Sequence, residues 1–319
     1  MGICGISKWR KRVIAIIVIV SFIAFLALIK ATVEKNISDN SKSSKHNKVD
    51  ANSTDSMSGL RSEGLEVFKR LRNVAGADDA SAMYKVAHYY DKGLGGLKKD
   101  EEEALKWSRK AASVGNARAM NLIGYYYGEG LGGLRKNEVE ALKWYRKAAD
   151  AGDAVAMRNI GVCYDEGLGG LIKDKKEALK WYRKAADAGD AVAMNNIGNY
   201  YNGGLEGLIK DKKEALKWFR KAADAGNAGA MAMIGCYYYE GFGGLMEDQE
   251  EALKWFRRAV ETDSDDTHLK AIVMAAIGYY YEDGAWFLPV DKMKAKECFR
   301  KAAEADADVA KFLREKGKL

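Results

Sequence analysis

Cysteine, histidine and the familiar catalytic signatures are scarce in this sequence of 319 residues. The four cysteines are isolated from one another, so we expect unpaired thiols and no disulfide framework. The three histidines are scattered, no Cys/His spacing fits zinc, and no acidic loop has the pattern of a calcium site. Gly-x-Ser-x-Gly and Ser-x-x-Lys motifs are absent as well. These absences predict a protein without metal, cofactor, small-molecule substrate or enzymatic activity.

The main part of the chain also has little excess charge. The net charge is +7, but residues 1–59 hold nine Lys and Arg against four Asp and Glu, a net of +5. The rest of the chain holds 43 basic and 41 acidic residues, a net of only +2. A nucleic-acid-binding domain usually carries a strong basic excess on one face. We therefore expect no nucleic-acid partner.

One long apolar run lies near the N-terminus. Residues 1–12 form a basic flank, and residues 13–29 are apolar except for Ser21. This pattern predicts a transmembrane signal-anchor at 13–30, with the basic flank in the cytoplasm and the rest on the outer, periplasmic or luminal side. A cleaved signal peptide is the alternative, although the exit Ile29-Lys30-Ala31 is a poor cleavage site. Residues 31–59 are polar and predict a flexible linker, in which Asn36 and Asn52 fit glycosylation sequons.

The remainder of the chain repeats with a fixed period. The tetrapeptide Ala-Leu-Lys-Trp begins at residues 104, 141, 178, 215 and 252, always 37 residues apart. A constant period of this size is typical of stacked-repeat proteins. A segment at 60–78 with Phe68 near the tryptophan position predicts an N-terminal capping helix, and 306–319 predicts a C-terminal capping segment. Between them, residues 79–305 hold six copies of the repeat.

Each copy predicts two helices. One carries Trp144 and Tyr145 on an apolar face, and the other carries Ile160, Gly161 and Tyr164 on an apolar face. We call them the Trp helix and the Tyr helix. The strict phase of the tryptophans predicts core positions, where truncation to Ala should cost about 3–5 kcal/mol. A glycine that returns at one phase of the Tyr helix predicts that a neighbour approaches too closely for a Cβ.

The repeat resembles the Sel1-like repeat family, which is related to tetratricopeptide repeats. The resemblance rests on Ile160-Gly161, Tyr164, Gly167, Gly169, Asp174, Glu177-Ala178, Trp181-Tyr182 and Ala185-Ala186. It implies an all-α, right-handed solenoid of helix-turn-helix repeats. It also implies an adaptor function, because the family serves mainly in protein–protein interaction.

Two neighbouring copies, 141–177 and 178–214, are nearly identical, so their differences are informative. Five of the six differences fall in the Tyr helix, while the exposed lysines of the Trp helix are unchanged. We interpret this pattern as selection on a binding surface, since the core frame is constant. Uneven drift after a recent duplication is the alternative. The differing pairs are Arg158/Asn195, Val162/Asn199, Cys163/Tyr200, Asp165/Asn202, Glu166/Gly203 and Gly169/Glu206.

By resemblance to tetratricopeptide stacks, the Tyr helix lines the concave groove. The lining positions follow the Met, the Gly and the last Tyr of that helix. Asn and Arg side chains there suit hydrogen bonds to an extended peptide backbone and to carboxylates. Solvated groove residues without a ligand are the alternative. The candidate partner-binding residues are Tyr84, His88, Asp91, Asn121, Tyr125, Arg158, Asp165, Asn195, Asn199 and Asn202.

These features predict a membrane-tethered scaffold that binds a protein or peptide ligand in the groove of a solenoid. A regulatory or accessory subunit of a membrane-associated enzyme, secretion or degradation complex is the alternative function.

Overall fold

The structure, a computed structural model, describes residues 54–76, 79–204, 210–264, 266–284 and 289–319. Every regular element in these ranges is an α-helix. The helices are α1 (Thr54–Ala75), α2 (Ala80–Lys92), α3 (Glu101–Ser113), α4 (Ala117–Glu129), α5 (Glu138–Asp150), α6 (Ala154–Glu166), α7 (Lys175–Asp187), α8 (Ala191–Gly203), α9 (Lys212–Asp224), α10 (Ala228–Glu240), α11 (Gln249–Glu261), α12 (Thr267–Asp283), α13 (Lys292–Ala305) and α14 (Ala307–Glu315).

The helices alternate along the chain between the two predicted types. Repeat 1 comprises the Tyr helix α2 and the Trp helix α3, and the alternation continues to repeat 6, α12 and α13. Each helix packs chiefly against the helices before and after it in the chain. The predicted all-α solenoid of six helix pairs is therefore confirmed, and its right-handed sense stays a prediction.

Capping groups define both ends of the Tyr helices. At the start of α6, the Asp153 carboxylate accepts a hydrogen bond from the backbone N–H of Ala156 at 2.7 Å. At its end, Gly167 takes a left-handed conformation (φ 72°) and donates its N–H to the Cys163 carbonyl. These contacts satisfy backbone groups that a helix end leaves unpaired.

Helix α1 begins at Thr54, ahead of the start predicted at residue 60. The polar composition of residues 54–59 assigned them to the linker. Once the C-terminal half of a helix is packed on a core, however, further residues can join its free end at little cost in free energy, because the costly nucleation step is already complete. Phe68 and Ala75 provide that anchorage, since both are buried. The predicted anchor at 13–30 lies outside the described residues. In the part of the chain that the structure does describe, no helix is long and apolar enough to cross a membrane.

The recurring glycine of the Tyr helix faces an aromatic ring. A Cβ added at Gly161 would lie 2.6 Å from Cε1 of Tyr182, and one added at Gly198 would lie 2.5 Å from Cε1 of Phe219. Repeat 1 reverses the pair, because Ala87 takes the glycine position and the small Ser108 takes the ring position. The expected close approach is present, and its cause is the ring one residue after the Trp.

Trp107 in repeat 1 is buried, but the tryptophans of the following repeats do not occupy the centre of the core. Trp144, Trp181 and Trp218 are half-buried, whereas Phe219 at the next position is fully buried. The outer face of each ring is covered by a lysine one turn later, with Lys147 Nζ 4.4 Å from the centroid of Trp144. Trp144 packs against the apolar cluster of the preceding repeat. The predicted core role is thus confirmed for Trp107 and wrong in degree for Trp144, Trp181 and Trp218. In these repeats the Trp packs at the boundary with the preceding repeat, and the following aromatic residue fills the core.

Candidate functional site: the Tyr-helix face

The Tyr helices of consecutive repeats lie side by side along the solenoid. Neighbouring Tyr helices α2 and α4, and α4 and α6, touch each other. Several side-chain hydrogen bonds join consecutive Tyr helices, whereas within the described ranges none joins two Trp helices. Repeats that approach more closely on one side curve toward that side. This contact favours the groove predicted along the Tyr helices, and its concave shape stays a prediction.

Tyrosine side chains form hydrogen bonds between consecutive Tyr helices at two of the joints between repeats. The Tyr126 hydroxyl donates to the Asp91 carboxylate at 2.7 Å, and Asp91 is only 5% exposed. Three repeats later the Tyr237 hydroxyl donates to Asn202 Oδ1 at 2.8 Å. Burial of Tyr126, and next its hydrogen bond to Asp91, raises the pKa of Tyr126. Asp91 and Asn202 thus hold repeats together and do not present free groups to the groove.

The same two positions vary together at the other joints. The Tyr200 hydroxyl faces Asp165 without full hydrogen-bond geometry, and burial together with Asp165 raises the pKa of Tyr200. Where the hydroxyl is missing, at Cys163, the acceptor position is Gly128. The sister-repeat differences Cys163/Tyr200 and Asp165/Asn202 therefore belong to the packing of repeats, and our interpretation that the core could not explain them is wrong at these positions.

Two further candidates are also engaged between repeats. Asn121 Oδ1 accepts a hydrogen bond from Asn159 Nδ2 at 3.0 Å. Arg158 Nε donates to Asp190 at 3.2 Å, and Asp190 in turn caps the next Tyr helix by accepting from the Ala193 N–H. Arg158 is thus already neutralised by a carboxylate, which weakens its predicted role in carboxylate capture.

An aromatic group begins the groove at its N-terminal end. The rings of Tyr84 and His88 stack with centroids 6.2 Å apart and an interplanar angle of 23°. Burial lowers the pKa of His88, and repulsion from Lys92 lowers it further. Burial likewise raises the pKa of Tyr84. The half-buried ring of Tyr125 follows in repeat 2, with its centroid 6.2 Å from that of Tyr126.

Unsatisfied acceptors occur in the middle of the groove. The Oδ1 atoms of Asn195 and Asn199 are buried and have no hydrogen-bond partner among the described residues. Both belong to α8 and lie one turn apart on the same face of the helix. A buried acceptor left unpaired costs about 1–3 kcal/mol. Among the predicted groove residues, Asn195, Asn199 and Asp165 thus carry side-chain oxygens that no described residue satisfies.

Repeats 5 and 6 close the groove at its C-terminal end. Ala232 and Met233, at the positions of Asn195 and Asn196, are each only 2% exposed. Helix α12 has 17 residues where the other Tyr helices have 13, and Leu269 in its first turns packs against this part of the core. Lys318 then bonds to Glu282 and lies over the ring of Tyr279, both at lining positions of repeat 6. The open groove therefore runs along repeats 1 to 4.

The sequence rule for lining positions missed some residues of this face. Arg118 is exposed near the start of α4, and its charge opposes the rise in the pKa of Tyr84. Asn159 and Asn196, one residue beyond the predicted positions, are half-buried on the same face. A lining rule that also counted the second residue of the Tyr helix would have found Arg118.

Two cysteine thiols on the Tyr helices are poorly suited to act as nucleophiles. Burial raises the pKa of the Cys163 and Cys236 thiols to about 12, so both are protonated at neutral pH and poor nucleophiles. Within the described ranges, no three His, Cys, Asp or Glu side chains are arranged to hold a metal ion. The arrangement favours binding through hydrogen bonds and aromatic contacts.

Comparison with known families identifies the repeats. The chain belongs to the Sel1 repeat family, whose proteins are typically protein-interaction scaffolds, and this confirms the resemblance inferred from the sequence. A search among curated proteins gives no match. The matched segments are residues 80–116, 117–153, 154–190, 191–227, 228–261 and 271–306.

Solved structures show the same architecture. A Sel1 repeat protein from Oxalobacter formigenes is 33% identical, with a TM-score of 0.60 over 70% of this chain and 85% of that one. The protective antigen c5321, present in uropathogenic Escherichia coli strains, is 26% identical, with a TM-score of 0.54. That alignment covers 77% of this chain but only 58% of the antigen.

Proposed function

We propose that the chain is a scaffold that binds an extended polypeptide along the Tyr-helix face of repeats 1 to 4. The observation that carries the proposal is the pair of buried, unpartnered acceptors Asn195 Oδ1 and Asn199 Oδ1. Other polar groups on this face, such as Asp91, Arg158 and Asn202, are already satisfied by neighbouring repeats. A ligand that donates hydrogen bonds to these two oxygens would remove the free-energy cost of leaving them unpaired.

An extended polypeptide suits this arrangement better than a compact small molecule. The open face spans four repeats and offers amide groups in repeat 4 and aromatic rings in repeats 1 and 2. A peptide backbone carries a donor and an acceptor at each residue other than proline, so it can satisfy an amide in either orientation. The closed positions at Ala232 and Met233 set the C-terminal limit of the contact.

The test is selection of displayed peptides against the full chain in detergent, followed by titration of an enriched peptide. We expect the double variant Asn195→Ala, Asn199→Ala to raise Kd about tenfold, because two hydrogen bonds of about 0.5–1.5 kcal/mol each are lost. Asn202 is left intact, since it accepts from Tyr237 and its loss would disturb the fold.

The matched control replaces two exposed lysines away from the groove, Lys176→Ala and Lys213→Ala. Its Kd should stay within about twofold of the unmodified chain, and its unfolding should be unchanged within about 0.5 kcal/mol. If the control loses binding and the Asn variant keeps it, the groove is the wrong surface.

We also propose that residues 13–30 tether the scaffold to a membrane, with the repeats on the outer, periplasmic or luminal side. The support is the apolar run at 13–29 behind a basic flank in the sequence. Accessibility labelling should find the C-terminus outside the cytoplasm and residues 1–30 still attached. A mature protein that lacks the apolar run would overturn this proposal.

A further inference from the structure

A row of exposed cations follows the outer face of the solenoid. In every Trp helix of repeats 1 to 5, the second and third residues after the Trp are both basic, as in Arg146-Lys147 and Arg183-Lys184. All ten residues, two in each of five repeats, are exposed. The constant period brings them to the same height in each stacked repeat. They therefore form one continuous line, which we call the cationic row.

The cations of this row are held in place but not neutralised. Lys147 and Lys184 lie over the Trp rings of their own helices, at 4.4 and 4.1 Å from the centroids. Arg183 donates to the Tyr201 hydroxyl, which carries no charge. Within the described ranges none of the ten lies within 4.0 Å of a carboxylate. Their charge is available to a partner.

The lysine one turn before the row lysine is, in contrast, paired with a carboxylate of the same helix. Lys180 pairs with Glu177 at 2.7 Å, and Lys217 pairs with Glu214 at the same distance. These lysines next to the row are thus paired, whereas Lys176 and Lys213, one turn further toward the N-terminus, are exposed with no carboxylate of the described residues within 4.0 Å. On its C-terminal side lies a second line of exposed residues, the carboxylates of Asp150, Asp187 and Asp224. In repeats 2 to 4 the cationic row is thus a narrow strip between paired lysines on one side and a line of aspartates on the other.

The narrowness of the strip restricts the partner. A flat anionic membrane would meet the line of aspartates together with the cations and would be repelled by it. Single-stranded nucleic acid usually stacks its bases on open aromatic rings, but these Trp rings are half-buried and covered by lysines. An acidic polypeptide fits better, because it can direct carboxylates to the row and basic or neutral side chains to the flanking aspartates.

We propose that the cationic row on the Trp helices is a second docking surface, for an acidic segment of a partner protein. Arginine provides paired donors that match a carboxylate, and the lysines add point charges at each repeat. Because one surface lies on the Trp helices and the other on the Tyr helices, one copy of the chain can hold two polypeptides at once.

The test uses the full chain in detergent and a labelled 20-residue peptide of alternating Glu and Ser as the probe. The triple variant Lys147→Glu, Lys184→Glu, Lys221→Glu should weaken binding about tenfold or more, and the residual affinity should lose most of its salt dependence. The control, Lys173→Glu, Lys176→Glu, Lys213→Glu, changes the net charge equally but lies off the row. It should change Kd by no more than about twofold.

Three further measurements keep the proposal open to refutation. The variant Lys147→Gln, Lys184→Gln, Lys221→Gln should reproduce the loss in part if the charge-reversed chain folds poorly. A peptide selected for the groove should bind the row variants with unchanged Kd, which separates this proposal from the groove. Equal losses in the row variant and its control would overturn it, as would tighter row-dependent binding of anionic vesicles or of single-stranded DNA than of the peptide.

Discussion

The two helices of each repeat differ in how freely their sequences vary. The Trp helices α7 and α9 read almost alike, whereas the Tyr helices α6 and α8 differ at Arg158/Asn195, Val162/Asn199 and three other positions. In repeats 2 to 6, the ring one position after the Trp position packs against the equivalent glycine of the Tyr helix. This ring position is therefore constrained in the same way each time. Each Tyr helix, in contrast, contacts a different set of side chains on the next Tyr helix.

This contrast shows that variation on the inner face has two sources. Some positions change because each joint has its own pair, such as Asp91 with Tyr126 or Asn202 with Tyr237. Others, such as Asn195 and Asn199, have Oδ1 atoms without a hydrogen-bond partner among the described residues, and we propose that a ligand satisfies them. The following predictions separate the constant helix from the variable one.

The largest effect is expected in the constant helix. Phe219→Ala removes a fully buried ring and should lower the free energy of unfolding by about 3–5 kcal/mol, measured by denaturant titration. Trp218→Ala removes a half-buried ring whose outer face is covered by Lys221, so it should cost only about 1–2 kcal/mol. Equal losses would contradict the assignment of the core to the residue after the Trp.

The sequence predicted the fold well because its signals are local and repeated. Caps such as Asp153 and the period of 37 define the helices without long-range information. The partners of Asp91 and Arg158 could not be predicted in the same way, since they lie 35 and 32 residues away. Their contacts depend on how far neighbouring repeats rotate, which the pattern within one repeat does not specify.

A second, smaller effect tests the fit of the glycine against the ring. Gly198→Ala should destabilise the chain by about 1–3 kcal/mol, since its Cβ would lie 2.5 Å from a buried ring. In a Phe219→Ala background the same change should be neutral or stabilising by up to about 1 kcal/mol, because alanine favours a helix and the ring is gone. The control is Gly152→Ala, where the added Cβ meets nothing within 4 Å but the backbone is left-handed (φ 87°). It should therefore cost stability equally in both backgrounds.

The smallest effect concerns the Tyr helices and tests whether an Asp–Tyr pair can be introduced between two repeats that lack it. Gly128 and Cys163 occupy the positions that Asp165 and Tyr200 hold one repeat later. A Cβ at Gly128 would meet only ordinary contacts at 3.7 Å, so an aspartate can be built there. In the variant Cys163→Tyr the new ring should rest on Tyr145, as Tyr200 rests on Tyr182 with centroids 5.8 Å apart. Its hydroxyl would then face Gly128, which offers no side-chain acceptor.

Adding Gly128→Asp to Cys163→Tyr should supply that acceptor. Because the pair then matches Asp91 and Tyr126, we expect the double variant to be more stable than the sum of the single variants by about 0.5–1.5 kcal/mol. Denaturant titration of all four chains gives this coupling free energy. A coupling of zero would mean that the Asp–Tyr contact follows from the packing of the rings and does not help to join the repeats, and the variation on the inner face would then need another cause.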